Sequence, residues 1–340
     1  MSASSAQDLA VRAYVSEAMP GCSFHSITLV EQLRFGENHV VYRVSYLDPK
    51  GDAKDVVVRA GSGDDAERGR AQREATAMRK VGGIVGPELY DFRHDCPGFG
   101  GPILCMQFIA GQQAELNRVR RHDVQHLGGV VQRLHALPVE DLTEWAPRNV
   151  TLPMYAEERW RAHFAARLSC VRDPLPRALQ RRLLAAVGVV SGAMEQPNAG
   201  ADSGADQRLV LLHADVSPAN VIWAPHPVLI DWEYARRGDP ADEVGYLFTQ
   251  NDLRESHRAA FWRGYRAQME TMTPDRFIQR VRLWEPMTLL GSVMWWVDAW
   301  SRAENGAPLR SDLSLPRPAE YYLQQAIERL DRFERMFGRD

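Results

Sequence analysis

The β pattern of this chain stops at residue 111, and that limit decides most of what the chain can become. Before it, residues 27–30, 40–46 and 56–59 form short apolar runs separated by polar turns at 36–38 and 48–51, the pattern of three consecutive antiparallel strands. A charged segment follows at 66–81, with Ala71, Ala75, Met78 and Val81 at helical spacing and a Gly82-Gly83 stop. Strand patterns at 88–92 and 103–109 complete a five-stranded antiparallel sheet with one helix. Beyond Gly111 the periodicity is helical, at 124–137, 154–168 and 177–190, and a polar loop over 196–206 precedes a short apolar strand at 209–212. The pattern predicts an α+β chain of two lobes: residues 1–110, with a hinge at about 104–111, and a mostly helical 111–340.

Composition narrows the function. The 340 residues are 45% hydrophobic and 25% charged, values of a chain that buries a full core. Basic residues number 41 against 44 acidic, a net charge of -3, so nothing draws the chain to nucleic acid. No run of 18 uncharged apolar residues is present to span a bilayer, since the most apolar late stretch, 286–297, lies between Glu285 and Asp298. The first residues lack a basic and then hydrophobic leader pattern, so a cytoplasmic protein is expected. The cysteines, Cys22, Cys96, Cys105 and Cys170, do not fall at the Cys-x-x-Cys spacing of a zinc or redox site and are read as reduced. Lysine occurs only at Lys50, Lys54 and Lys80, so a task that lysine often performs falls to arginine here.

The chemistry is carried by residues 212–233. His213-Ala214-Asp215 is followed after four residues by Asn220, then by a short apolar strand pattern ending in Asp231. Phosphoryl transfer needs this set: one carboxylate to take or orient the attacking hydroxyl, and an amide oxygen and a second carboxylate to hold Mg²⁺ against nucleotide phosphates. Asp215 is the candidate base, and Asn220 and Asp231 are the candidate metal ligands. His213 reads as a loop anchor. Upstream, the same reaction needs a strand-turn-strand over the phosphates, a cation on the third strand and a helix acid to pair with it. The turn around Gly36 and Asn38 supplies the first, Arg59 the second and Glu74 the third. Arginine keeps the charge of a lysine there but offers bidentate geometry.

These residues resemble the aminoglycoside phosphotransferase and choline kinase family of small-molecule kinases, whose fold is protein-kinase-like. The resemblance runs from about residue 27 to 248, includes a hinge-like segment at 104–111, and is most specific over 230–243, Ile230-Asp231-Trp232-Glu233 through Asp239-Pro240 to Asp242-Glu243. It implies that the hinge, with Gln107 and Ile109, holds adenine through its backbone, that ATP or GTP with Mg²⁺ is the phosphoryl donor, and that a small-molecule hydroxyl is the acceptor, with no nucleic acid or membrane partner. Ala214 stands where the family has glycine, Arg59 where many members have lysine, and Asp242-Glu243 where Asp-Leu is commoner, which leaves Asp242 without a task.

For the acceptor, the resemblance puts an aminoglycoside or related antibiotic first and a choline, thiamine or amino-sugar type second. Trp284, Trp295, Trp296 and Trp300, with Glu285, Asp298 and Glu304 nearby, read either as helix packing or as an aromatic and acidic cation site, and Glu233, Trp295, Trp296 and Asp298 are the candidate substrate residues. A catalytically silent nucleotide-binding module is the reading from another class. The sequence leaves ATP against GTP, and the oligomeric state, open.

Overall fold

The computed structural model describes residues 3–35, 39–142, 175–194, 209–265, 274–306 and 317–338. The chain folds into two compact units, one built from Met1–Ala114 and Ala219–Ala235, the other from Glu115–Pro218, Arg236–Leu309 and Pro316–Asp340. This differs from a single cut at 111, because 219–235 joins the first unit. The cause is backbone pairing: Gln112 and Trp223 exchange N–H···O bonds of 3.2 and 2.8 Å, and Leu229 N donates to Val85 O at 2.9 Å.

In the first unit, β1 (Ile27–Phe35), β2 (His39–Leu47), β3 (Ala53–Gly61), β4 (Leu89–Cys96) and β5 (Gly101–Gln107) form one antiparallel sheet in the order β1-β2-β3-β5-β4. Alternation along β2 and β3 sends Val40, Tyr42 and Val44, and Val56, Val58 and Ala60, into one core. That core is closed by Val11, Tyr14 and Val15 of α1 (Ala3–Ala18), a helix absent from the one-helix expectation. The helix α2 (Asp65–Val81) was expected, and its ends explain why it forms there. The Asp64 side chain caps the Glu67 N–H at 2.9 Å, acids occupy the first turn, Arg79 and Lys80 the last, and Gly82 ends it. A small hairpin, β7 (Val221–Trp223) with β8 (Pro227–Leu229), completes the described part of this unit.

Among the described residues the second unit is helical apart from one short antiparallel pair, β6 (Val210–Leu212) with β9 (Arg236–Gly238). Its described helices are α3 (Arg121–His135), α4 (Arg177–Met194), α5 (Pro240–Gln250), α6 (Glu255–Gly264), α7 (Pro274–Glu304) and α8 (Ala319–Phe337). The helix expected at 154–168, the loop at 196–206 and Cys170 lie outside the described residues, while Cys22, Cys96 and Cys105 are free thiols. No helix among the described residues is long and apolar enough to cross a membrane.

Two glycines set the spacing of α3 and α6. A Cβ on Gly264 would overlap the carbonyl oxygen of Gln125, and one on Gly128 would overlap that of Phe261. A methyl group cannot enter without parting the helices, so Gly264→Ala is expected to cost about 1–3 kcal/mol. Gly188→Ala in α4, where nothing lies within 4 Å of the added Cβ, should instead stabilise by about 0.5–1 kcal/mol. Thermal unfolding of the two variants against the parent chain checks both signs.

Candidate active site

Strand alternation gives Arg59 its place. With Val58 and Ala60 facing the α1 core, Arg59 points to the other face of β3, against α2, and is 4% exposed. Its guanidinium is ringed by acceptors: the Glu74 carboxylate, Glu233 Oε2 at 3.1 Å, Glu67 Oε1 at 3.9 Å and His39 Nδ1 at 2.7 Å. Arg70 joins the same cluster, donating from Nε and NH2 to Glu67 Oε2 at 3.0 and 2.5 Å, with its Nε 3.7 Å from Glu233. Burial, then the charges of Arg59 and Arg70, holds His39 well below its ordinary 6.5, so a neutral ring accepts from Arg59. Gly61 is required beside this cluster, since a Cβ there would meet Glu67 Oε1 at 2.6 Å. The expected pairing of Arg59 with Glu74 is present. Glu67, Arg70 and His39 were not anticipated, and Glu233, a candidate acceptor residue, is paired with Arg59 in this cluster.

The candidate metal residues also lie in the first unit. Ile230 N donates to Asn220 O at 3.0 Å, so the backbone segments bearing Asn220 and Asp231 are neighbours. Asp231 has φ 65°, a left-handed conformation that costs a side-chain-bearing residue about 1–2 kcal/mol and needs support from its neighbours. Trp232 supplies support on one side: it is fully buried, its Nε1 donates to Leu229 O at 3.0 Å, and Gly86 leaves room for its ring, since a Cβ there would meet Nε1 at 2.9 Å. Glu233 supplies the rest through Arg59 and Arg70. Hard oxygen donors from an amide just before β7 and a carboxylate just beyond β8 suit Mg²⁺, so these residues fit that ion. Gly36 and Asn38 lie outside the described residues. Gln107 gives its N–H to Glu88 O at 2.8 Å, so a nucleotide base could take that donor only by displacing Glu88; Ile109 is half-buried in the coil beyond β5.

In the second unit, the loop after β6 carries Asp215. Ala214, just before it, has φ 68°, which explains why glycine is the natural residue at such a position. Its N–H donates to Glu243 Oε1 at 2.7 Å, Glu243 Oε2 meets His135 Nε2 at 2.8 Å, and His135 Nδ1 meets the Tyr265 hydroxyl at 2.9 Å. Burial raises the Glu243 pKa, but the hydrogen bond and charge of His135, with the Ala214 N–H, outweigh it and hold Glu243 below its ordinary value. His213 anchors the loop as expected, its Nδ1 accepting from Asp215 N at 3.3 Å, and Asn251 Nδ2 donates to Val216 O at 3.0 Å. The Tyr246 hydroxyl donates to Asp215 Oδ1 at 2.5 Å. Asp242 pairs with Arg236 at 2.6 Å, which gives it a structural place.

The tryptophan-rich segment of α7 divides into buried and accessible rings. Trp284 and Trp300 are buried, and Trp284 Nε1 donates at 3.0 Å to Asp239, which also receives Arg280. Glu285 is paired with Arg258 at 2.6 Å. The Trp296 ring is already covered by Arg329 at 4.6 Å, as Tyr321 is by Arg317 at 4.3 Å. Trp295 is exposed, Asp298 half-buried and Glu304 exposed. Helix packing accounts for the buried tryptophans, and arginines of the same chain stack on Trp296 and Tyr321.

A model of the phosphotransferase enzyme family matches residues 30–277. A thiamine kinase from Escherichia coli O81 (strain ED1a) is 35% identical over 94 residues, 27% of this chain and 33% of that kinase, so the chain matches about a third of that relative's length. Among solved structures, a choline/ethanolamine kinase family protein from Mesorhizobium loti superposes with a TM-score of 0.62 at 18% identity, covering 96% of this chain and 95% of that one. The GDP and kanamycin complex of APH(2")-IIia gives 0.61 at 18% identity, over 96% and 99%. The choline kinase LicA from Streptococcus pneumoniae gives 0.57 at 16% identity, over 94% and 97%. At these identities the likeness establishes the α+β fold that the three share.

The buried clusters make two expectations concrete. The folded chain keeps His39 neutral while the unfolded chain binds a proton near 6.5, so lowering the pH favours unfolding. This removes up to about 1.4 kcal/mol for each pH unit below that value, and nothing above about pH 7.5. Denaturant melts from pH 8 to 5 should therefore show a shallower pH slope for His39→Gln than for the parent chain. Ala214→Gly, which relieves the left-handed strain, is expected to raise stability by up to about 1 kcal/mol in the same melts at pH 8.

Proposed function

The chain belongs to the phosphotransferase enzyme family, and on that premise we propose that it transfers the γ-phosphoryl group of ATP or GTP to a hydroxyl of a small molecule, an aminoglycoside or related antibiotic first among them. One observation supports this reading above the others: the first unit holds Asn220 and Asp231 on adjacent backbone and, beside them in sequence, anchors Glu233 to the buried Arg59–Glu74 pair. In the proposed roles, Asn220 and Asp231 hold Mg²⁺, Arg59 provides the strand-borne positive charge for phosphate, and the segment at 104–111 carries the base. An ion held there would supply positive charge to neutralise the phosphate oxygens. Asp215 accepts the proton of the acceptor hydroxyl as its oxygen attacks phosphorus. ATP or GTP as donor agrees with the expected cytoplasmic setting.

A second acceptor class has its own support. The 94 residues shared with a thiamine kinase and the fold shared with choline kinases favour an amino-alcohol or thiamine-type acceptor. Against a quaternary amine stacked on Trp296 of α7 or Tyr321 of α8 stands the cover that Arg329 and Arg317 give to those rings. ADP or GDP release measured with kanamycin, spectinomycin, choline, ethanolamine and thiamine separates these classes. Release should require Mg²⁺ and cease with EDTA. Asp215→Ala should lower turnover about 10²–10⁴-fold on whichever acceptor is used. Full turnover in that variant would sink the assignment, and nucleotide binding without release on any acceptor would favour the silent module.

A further inference from the structure

The hydroxyl of Tyr246 is committed to the carboxylate that the proposed reaction depends on. It lies 2.5 Å from Asp215 Oδ1, and the two residues are 31 positions apart in the chain. The helix that carries it, α5, is fixed at both ends. At its start Asp239 caps the Ala241 N–H at 3.0 Å and receives Arg280 and Trp284. At its end Arg332 of α8 donates to Thr249 O at 2.9 Å and Gln250 O at 3.0 Å, and Thr249 Oγ1 bonds Gly245 O at 2.9 Å. Between those anchors the phenol has a defined position, and the loop bearing Asp215 is pinned to the same helix through the Ala214 N–H and Glu243. Both sides of the contact are therefore held by the fold.

A carboxylate that serves as a base has two equivalent oxygens and rotates unless one is engaged. We propose that Tyr246 is a positioning residue: its hydroxyl holds Oδ1 of Asp215 and thereby fixes the orientation in which the carboxylate meets the acceptor hydroxyl. The proposal rests on the reading of Asp215 as base. In that step the acceptor O–H bond breaks and its proton goes to the Asp215 carboxylate. The freed oxygen bonds the γ-phosphorus while the bond from that phosphorus to the β,γ-bridging oxygen breaks, releasing ADP or GDP. The phenol is neutral and remains bonded throughout.

The donor also stabilises the ionised carboxylate, which gives a readout that a packing role would not move. The titratable and charged groups around the pair are His213, whose Nδ1 accepts from Asp215 N; Glu243, which accepts from Ala214 N; and Arg329 of α8, which feels the Tyr246 phenol. Tyr246→Phe keeps the ring and these neighbouring side chains and deletes only the hydroxyl.

The test follows the carboxyl carbon signal of Asp215 in full-length protein labelled with ¹³C at aspartate Cγ, the signal being assigned by its loss in Asp215→Asn. In Tyr246→Phe the titration midpoint of that signal should rise by about one pH unit. With Mg·ATP and the most active of the five acceptors, kcat should fall about tenfold while the nucleotide KM stays within twofold. Coincident midpoints for the parent chain and Tyr246→Phe would overturn the proposal even if Asp215→Asn is inactive, and the kinase reading would then survive alone. Full ADP release by Asp215→Asn would overturn the base reading and the tyrosine's role together.

Discussion

The burial of the Arg59 guanidinium is the constraint on which the first unit depends. A charge removed from water is tolerated only when carboxylates and hydrogen bonds replace its hydration, and losing one partner of such a set typically costs about 3–5 kcal/mol. Here the replacements come from three places in the chain: His39 at the start of β2, Glu67 and Glu74 on α2, and Glu233 just past Asp231. The cluster therefore ties strand, helix and candidate metal segment into one electrostatic unit. It sets three acidic side chains, Glu67, Glu74 and Glu233, around two guanidinium groups, those of Arg59 and Arg70.

The segment around Asp215 solves a different problem, that of holding a loop whose backbone is strained. Ala214 adopts a conformation suited to glycine, and a buried carboxylate, Glu243, takes its N–H. That carboxylate is in turn kept charged by His135, itself fixed by Tyr265. Two oddities of the sequence, an alanine before the candidate base and a glutamate in the helix after the metal segment, are two ends of one hydrogen bond.

How much of this was legible depended on distance along the chain. The five strands announce themselves by alternation, and α2 by its cap, its charges and its glycine stop. Asp215, Asn220 and Asp231 are legible because phosphoryl transfer needs those groups in that order at short spacing. Arg59 stood out because lysine is scarce. Glu243 and Tyr246 were not, because they meet the Asp215 loop across 29 and 31 residues, and His135 meets Glu243 across 108. The helix α1 was missed because its alanine-rich stretch has a weak pattern, and its purpose shows only once the sheet face it covers exists. Spacing in the late tryptophan segment cannot tell a ring that is open, such as Trp295, from one that a distant arginine covers, such as Trp296.

The discontinuous make-up of the first unit also bears on how the chain is made. Its sheet is complete by Gln107, but the hairpin at 221–229, Trp232 and the Glu233 partner of Arg59 are translated more than a hundred residues later. On a ribosome adding roughly 5–20 residues per second, the nascent sheet waits many seconds with a guanidinium facing α2 that lacks one of its acids. The amino-terminal part cannot reach its final state first and serve as a finished platform for the rest. Closure of that unit is instead a late event, timed by the emergence of residue 233 rather than by the end of the sheet.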